Sequence, residues 1–191
     1  KQQLRLEKYL DERPSVTSVG IAISMYMGLR IGEVCALQWK EIDLEKRVLT
    51  VSKTIQRVQC RTGSKQTKLI ITEPKSESSK RTIPIPDCLL PLLRRFKDNG
   101  EVYVVSGRKK PVEPRTMQYR FAKILHNADL PSFHYHSLRH LFATRCVELG
   151  FDVKTLSEIL GHSSVEVTLN RYIHSDMERK RTCMSLLSKC A

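Results

Sequence analysis

A change of apolar period part-way along the chain constrains the fold more than any other feature. Val48, Thr50, Ser52 and Ile55 open a stretch rich in β-branched residues, and Lys68-Leu69-Ile70-Ile71-Thr72 and Arg81-Thr82-Ile83-Pro84-Ile85 continue it. Polar turns around 62–66 and 74–79 separate these runs. Runs of this length and composition, bounded by turn residues, predict short strands. They make a small antiparallel sheet or meander, and Pro84 and Pro86 put its last strand at an end or an edge. On both sides the apolar residues return at helical spacing, which predicts helices at 4–10, 15–27, 31–37, 87–98, 115–128, 137–149, 153–160, 164–173 and 176–189. Ser15 caps the second of these and Gly28 ends it. In 137–149, Leu138, Leu141, Phe142, Cys146 and Leu149 form the apolar stripe, with Gly150 in place to end the helix. The predicted class is α+β, mainly α: one domain with a small antiparallel β-sheet inserted.

Charge narrows the partners. Thirty-three Lys and Arg against twenty Asp and Glu leave a net +13 and a pI near 9.7. The excess is concentrated: Lys53 to Arg81 holds eight basic residues and two acidic, and Arg94 to Lys123 nine and three. A merely solvated surface favours mixed signs, so the two stretches point to a polyanion. Lys53, Arg57, Lys80 and Arg81 in the first, and Arg115 and Arg120 in the second, are the candidate DNA contacts. Aromatic residues make up only 6% of the chain, which leaves little stacking platform for RNA.

Composition also excludes classes. With 40% hydrophobic and 28% charged residues the chain is not a disordered polymer, and no run of about 18 apolar residues is present for a membrane span. No charged-then-apolar signal segment opens it. The first residue is Lys, which predicts a fragment or a processed chain. Cys35, Cys60, Cys88, Cys146, Cys183 and Cys190 form no C-x-x-C pair, so zinc is not expected. Reduced thiols in a cytosolic compartment are the expectation.

Several short segments carry chemistry. In Gly28-Leu29-Arg30-Ile31-Gly32-Glu33, Arg30 and Glu33 share a face of a helical turn, either as a surface ion pair or as a guanidinium oriented for an anion. In His136-Ser137-Leu138-Arg139-His140, two histidines and an arginine sit at a helix start, where an anion is favoured. The spacing of His136 and His140 suits a metal helix, but the Glu of H-E-x-x-H is missing, so no metal is expected. Leu160-Gly161-His162 closes one helix, Ser163-Ser164-Val165-Glu166 has the capping-box pattern of the next, and Tyr172 lies near that helix's far end.

Taken in order, the segments GLRIGE (28–33), HSLRH (136–140), LGHSSVEVTL (160–169) and RY (171–172) resemble the tyrosine recombinases, the integrases of phages and mobile elements. The resemblance implies a catalytic domain over 1–175, a tail helix at 176–191, and family DNA-binding domains that lie outside this chain. It implies Arg30, Lys75, His136, Arg139, His162 and the nucleophile Tyr172 as catalytic residues, with Glu33 and His140 in support. Lys75, in Glu73-Pro74-Lys75-Ser76, is similar to the family's β-turn lysine, and Lys80 lies close enough to compete for the role. The implied partners are double-stranded DNA and further copies of the chain, as a tetramer on DNA joined through the tail. The implied setting is the cytoplasm, at a bacterial nucleoid. No cofactor is implied. The competing readings are a type IB topoisomerase and a DNA-binding module that keeps the fold without the chemistry. A binding module has no need of a tyrosine beside two arginines and a histidine.

Overall fold

The structure, a computed structural model, describes residues 2–59, 67–73, 79–172, 177, 181 and 184–185, with side chains in the last helix through Thr168. Helices α1 (Gln2–Glu12), α2 (Val16–Met27) and α3 (Ile31–Ala36) come first. Five strands follow: β1 (Ile42–Asp43), β2 (Val48–Val51), β3 (Thr54–Gln59), β4 (Thr67–Thr72) and β5 (Arg81–Pro84). Helices α4 (Leu90–Phe96), α5 (Pro114–Asn127), α6 (Ser137–Glu148), α7 (Val153–Leu160) and α8 (Val165–Tyr172) complete the described fold.

α2 is the central post. It is apolar on nearly every side, as a helix surrounded by others must be, and Val19, Ile21 and Ile23 are fully buried. The Ser15 side chain accepts from the Ser18 N–H at its start, and Gly28 ends it at φ 69°. A Cβ at Gly28 would run into the Phe142 ring, so the turn between α2 and α3 lies directly against α6. Tyr135, just ahead of α6, is buried, and its hydroxyl donates to the Gly20 carbonyl at 3.0 Å and meets Ser24 Oγ at 2.9 Å. Its ring also packs edge-on against Phe121 of α5. The start of α6 is thereby fixed to the middle of α2. α1 lies across the outside, where Leu6 and Leu10 are buried and Tyr26 Oη donates to Glu7 at 2.7 Å.

The strands do not form one meander. β1, β2 and β5 make a three-stranded sheet in the order β1-β2-β5, and β3 and β4 make a separate antiparallel ribbon. β5 pairs with β2, bringing Arg81 opposite Val51 and Pro84 opposite Val48. β5 is therefore an edge strand, where Pro removes no needed donor. The chain leaves the sheet after β2, runs out and back through the ribbon, and returns beside its point of departure. Ile55 of β3 is buried while its register partner Ile71, and Leu69, of β4 are exposed, so the ribbon joins the core through the start of β3. An apolar alternation does not say which strand a given strand pairs with, and the expected single sheet is corrected on that point.

A second correction concerns α6. Its buried residues are Leu138, Arg139, Ala143, Cys146 and Val147, and Leu149 is 68% exposed. Leu138 and Cys146 of the expected stripe are buried and Leu141 and Phe142 pack partly buried beside them, so only Leu149 departs from it, and the buried face is wider because α6 packs on two sides. Leu138 joins the main core, while Ala143, Cys146 and Val147 form a smaller one with Leu156 and Leu160 of α7. The wider buried face takes in a charged residue, Arg139. Cys35, Cys88 and Cys146 are unpaired, and burial pushes the Cys35 thiol up to about 12 and that of Cys146 up to about 11. Among the described residues no helix is long and apolar enough to cross a membrane.

The exposure of Leu149 gives a direct test. Leu138→Ala should lower the unfolding free energy by about 2–5 kcal/mol through lost burial and a cavity. Leu149→Ala should change it by no more than about 0.5 kcal/mol. Denaturant titration of both variants checks the assignment, and equal losses would return Leu149 to the core.

Candidate active site

The site is built on the carboxyl end of α7. A helix leaves its last four carbonyls without helical partners, and here each is accounted for. Gly161, at φ 63°, turns the chain back so that its N–H donates to Glu158 O and that of His162 to Ser157 O. The next three carbonyls are taken by three different arginines. Arg81 Nε donates to Ile159 O at 2.6 Å, Arg139 Nη2 to Leu160 O at 2.8 Å, and Arg30 Nη2 to Gly161 O at 3.1 Å. Consecutive residues are about 3.8 Å apart, so three guanidiniums gather along roughly 8 Å of backbone. The negative end of the α7 dipole eases their mutual repulsion.

Each arginine also holds a second element to this turn. Arg139, 2% exposed, donates through Nη1 to Gly28 O at 2.8 Å, which ties α6 and α7 to the turn after α2. Arg30 donates through Nη1 to Glu33 Oε1 at 2.9 Å, and its backbone N–H donates to Glu33 Oε2 at 2.8 Å. That backbone bond is the carboxylate half of a capping box at the start of α3. Arg81 grips the same carboxylate in a fork, Nη1 to Oε1 at 3.1 Å and Nη2 to Oε2 at 3.0 Å, and donates through Nη1 to Ser79 O.

Glu33 is 4% exposed and serves two guanidiniums at once. Burial pushes its carboxyl up, but hydrogen bonds from Arg81, then the charges of Arg81 and Arg30, outweigh this and hold it below 4.5. Three guanidiniums against one carboxylate leave the site strongly positive. Arg30 is 38% exposed and has two of its N–H groups committed, so it keeps an open edge among the described residues.

Around this centre the other candidates fall as follows. His162 is buried, and its Nδ1 lies 2.7 Å from Oγ1 of the fully buried Thr168, which fixes the ring on α8. His136 and His140 pack edge to face, centroids 4.7 Å apart, on the first turn of α6 that also carries Arg139. A cleft of about 340 Å³ beside the turn is lined by Lys80, Arg81, Lys154, His162, Ser163 and Ser164. α8 ends at Tyr172, about one turn past Thr168, and the Tyr172 side chain lies outside the described residues. Lys75 lies outside them too, in the connection from β4 to β5.

Two of the proposed DNA contacts are bonded within the chain. Arg81 has a side chain only 6% exposed, and four of its five N–H groups are committed, so it is a building part of the site. Arg57 is forked onto Glu113 at 2.6 and 2.9 Å, with its side chain 46% exposed. Arg120 donates to Val105 O, Lys53 is half-buried, and Arg115 and Lys80 are exposed. Sequence reasoning missed Thr168. Its signal was the six-residue step from His162 across a cap, which places it one turn into the next helix.

With this geometry in place, comparison with known proteins is decisive. The family model described as the phage integrase family matches residues 2–179. The chain belongs to this family. A tyrosine recombinase XerC-like protein of Caldanaerobacter subterraneus subsp. tengcongensis is 33% identical over 180 residues, covering 84% of this chain and 46% of that protein. A putative prophage phiRv2 integrase of Mycobacterium tuberculosis is 29% identical, covering 97% of this chain and 50% of its own length. The chain thus spans about half the length of these family members. Among solved family structures, the Tn1549 transposon integrase in complex with transposon right end DNA superposes with a TM-score of 0.77 at 27% identity. It covers 98% of this chain and 64% of that one.

The Glu33 clamp predicts an acid response. Because its carboxyl titrates lower in the folded state than in the unfolded chain, its contribution is complete above the ordinary value of 4.5 and is lost as pH falls through the lower folded value. Glu33→Gln should lower stability near neutral pH and flatten the fall in stability below about pH 4.5. Thermal unfolding at stepped pH measures both, and an unchanged acid limb would assign that limb to other carboxylates.

Proposed function

We propose that this chain is the catalytic part of a site-specific DNA recombinase that cuts and rejoins strands through a 3′-phosphotyrosyl intermediate, integrating or excising a mobile element. The observation that carries the reading is the set of guanidiniums gathered on the turn after α7, with His162 fixed beside them and α8 leading directly to Tyr172. A fixed cluster of forked donors suits the non-bridging oxygens of a phosphodiester. Residues 1–175 are the catalytic domain in this reading, and 176–191 the tail that joins copies into a tetramer on DNA. Among the described tail positions Met177 and Met184 are exposed, which fits a docking role. The setting is the bacterial nucleoid.

In the first step the Tyr172 oxygen bonds to phosphorus and the bond from phosphorus to the 5′-oxygen breaks. Arg30, Arg139 and His162 stabilise the charge that builds on the non-bridging oxygens. The phenolic proton goes to His136, and the departing 5′-oxygen takes a proton from Lys75. His140 holds His136 by its edge-to-face contact, and Glu33 orients Arg30. Rejoining reverses these steps with a 5′-hydroxyl of another strand. The bond energy stays in the phosphotyrosine, so no nucleotide or metal is required.

Three outcomes test this. A nicked suicide substrate should trap the chain on a 3′ end, and Tyr172→Phe should bind DNA almost normally yet give no adduct. Adduct from Tyr172→Phe would move the nucleophile elsewhere. DNA affinity should fall about a thousandfold between 50 and 200 mM salt if six or so phosphates are contacted, and a flat response would remove DNA as the partner. Lys75→Ala should slow cleavage of ordinary DNA and recover when the 5′-bridging oxygen is sulfur, because a thiolate of pKa about 8.5 leaves without an acid. Lys80 lines the His162 cleft, so Lys80→Ala is the matched control. Sulfur rescue of Lys80→Ala alone would transfer the acid to Lys80.

A further inference from the structure

Arg81 is a costly side chain to bury. Its pairing with Glu33 removes two charges from water, and such pairs add little net stability. It is also closed off from a substrate phosphate, with a side chain 6% exposed and four N–H groups already donated. Yet its bonds fall on the groups that place the substrate-facing side chains. Through its fork it fixes both oxygens of Glu33, one of which also receives Nη1 of Arg30. Through Nε it holds Ile159 O, the carbonyl just before those that receive Arg139 and Arg30. Gly161 is fitted to this side chain as well, since a Cβ there would come within 2.9 Å of Arg81 Nη1.

We infer that Arg81 is a positioning residue for the phosphoryl transfer, acting through Glu33 and the α7 turn to keep the open edge of Arg30 aimed at the scissile phosphate. This rests on the reaction proposed above. Without Arg81 the buried Glu33 carboxylate keeps only Arg30 as a cationic partner and draws its fork inward. A misplacement of about 1 Å at such a site lowers the rate by about 10²-fold.

The test compares wild type, Arg81→Lys, Arg81→Gln and the double variant Arg81→Gln/Glu33→Gln on a nicked suicide substrate, with folding of each checked by circular dichroism. Arg81→Gln should slow adduct formation by about 10²-fold, with DNA affinity and its salt dependence unchanged. Arg81→Lys keeps the charge without the fork and should fall between. The double variant should recover part of the rate, because the unbalanced carboxylate that captures Arg30 is gone. A substrate with one non-bridging oxygen of the scissile phosphate replaced by methyl carries no charge there, so the Arg81→Gln defect should shrink on it. A salt slope lower by about 0.9 in Arg81→Gln would make Arg81 a phosphate contact and overturn the inference. So would wild-type rates in Arg81→Gln, or a defect that neither the double variant nor the neutral substrate relieves. If Arg81→Gln fails to fold, Arg81→Lys and the double variant decide on the same readouts. Absence of adduct from wild type itself would instead overturn the reaction, a separate and visible failure.

Discussion

Everything at the candidate site depends on how one short helix ends. α7 stops at a left-handed glycine, and the carbonyls of Ile159, Leu160 and Gly161 then present three acceptors in a row. Each is met by a guanidinium from a different part of the chain: β5, α6 and the start of α3. Three like charges would not gather unaided. The helix dipole and the Glu33 carboxylate supply the opposing potential, and the hydrogen bonds fix the geometry. The same bonds that assemble the site are therefore the bonds that close the fold around it.

This arrangement explains why the surrounding packing is so tightly specified. The turn that delivers Arg30 is pressed against Phe142 and leaves no room for a Cβ at Gly28. The start of α6, which delivers Arg139, is fixed by the buried Tyr135 hydroxyl on α2. Thr168 sets the His162 ring from within α8, the helix that ends at Tyr172. In each case a residue outside the proposed chemistry restricts one proposed to carry it, which is how a site made from distant segments is preorganised.

Much of this was legible beforehand. The described helix positions and the caps at Ser15 and Gly28 followed from periodicity and local spacing, while the set Arg30, His136, Arg139, His162 and Tyr172 came from the resemblance of its motifs to a known family. What was not legible was partnership. Arg81 read as one more cation in a basic stretch, because burial comes from the strand pairing that puts it beside Glu33, and pairing across the chain leaves no local mark. The single sheet expected from three strand-like runs failed for the same reason, since β5 pairs with β2 across the ribbon. Leu149 fitted the α6 stripe but lies on the exposed side, because two separate cores share that helix.

The return of β5 to β2 has a consequence for how such a chain tolerates change. Val51 and Arg81 are register partners, so the whole excursion between them begins and ends at one place. Closing a longer loop between fixed ends is only slightly less favourable than closing a short one. Insertions and deletions in the outer ribbon, beyond the buried Ile55, are thus nearly invisible to the core. A slip of one residue where the excursion re-enters the sheet is different, since it would swing Arg81 to the opposite face and leave Glu33 without its fork. Natural variation should accordingly be free in the length of the outer β3–β4 ribbon and intolerant at the point of return, the side on which Lys75 lies.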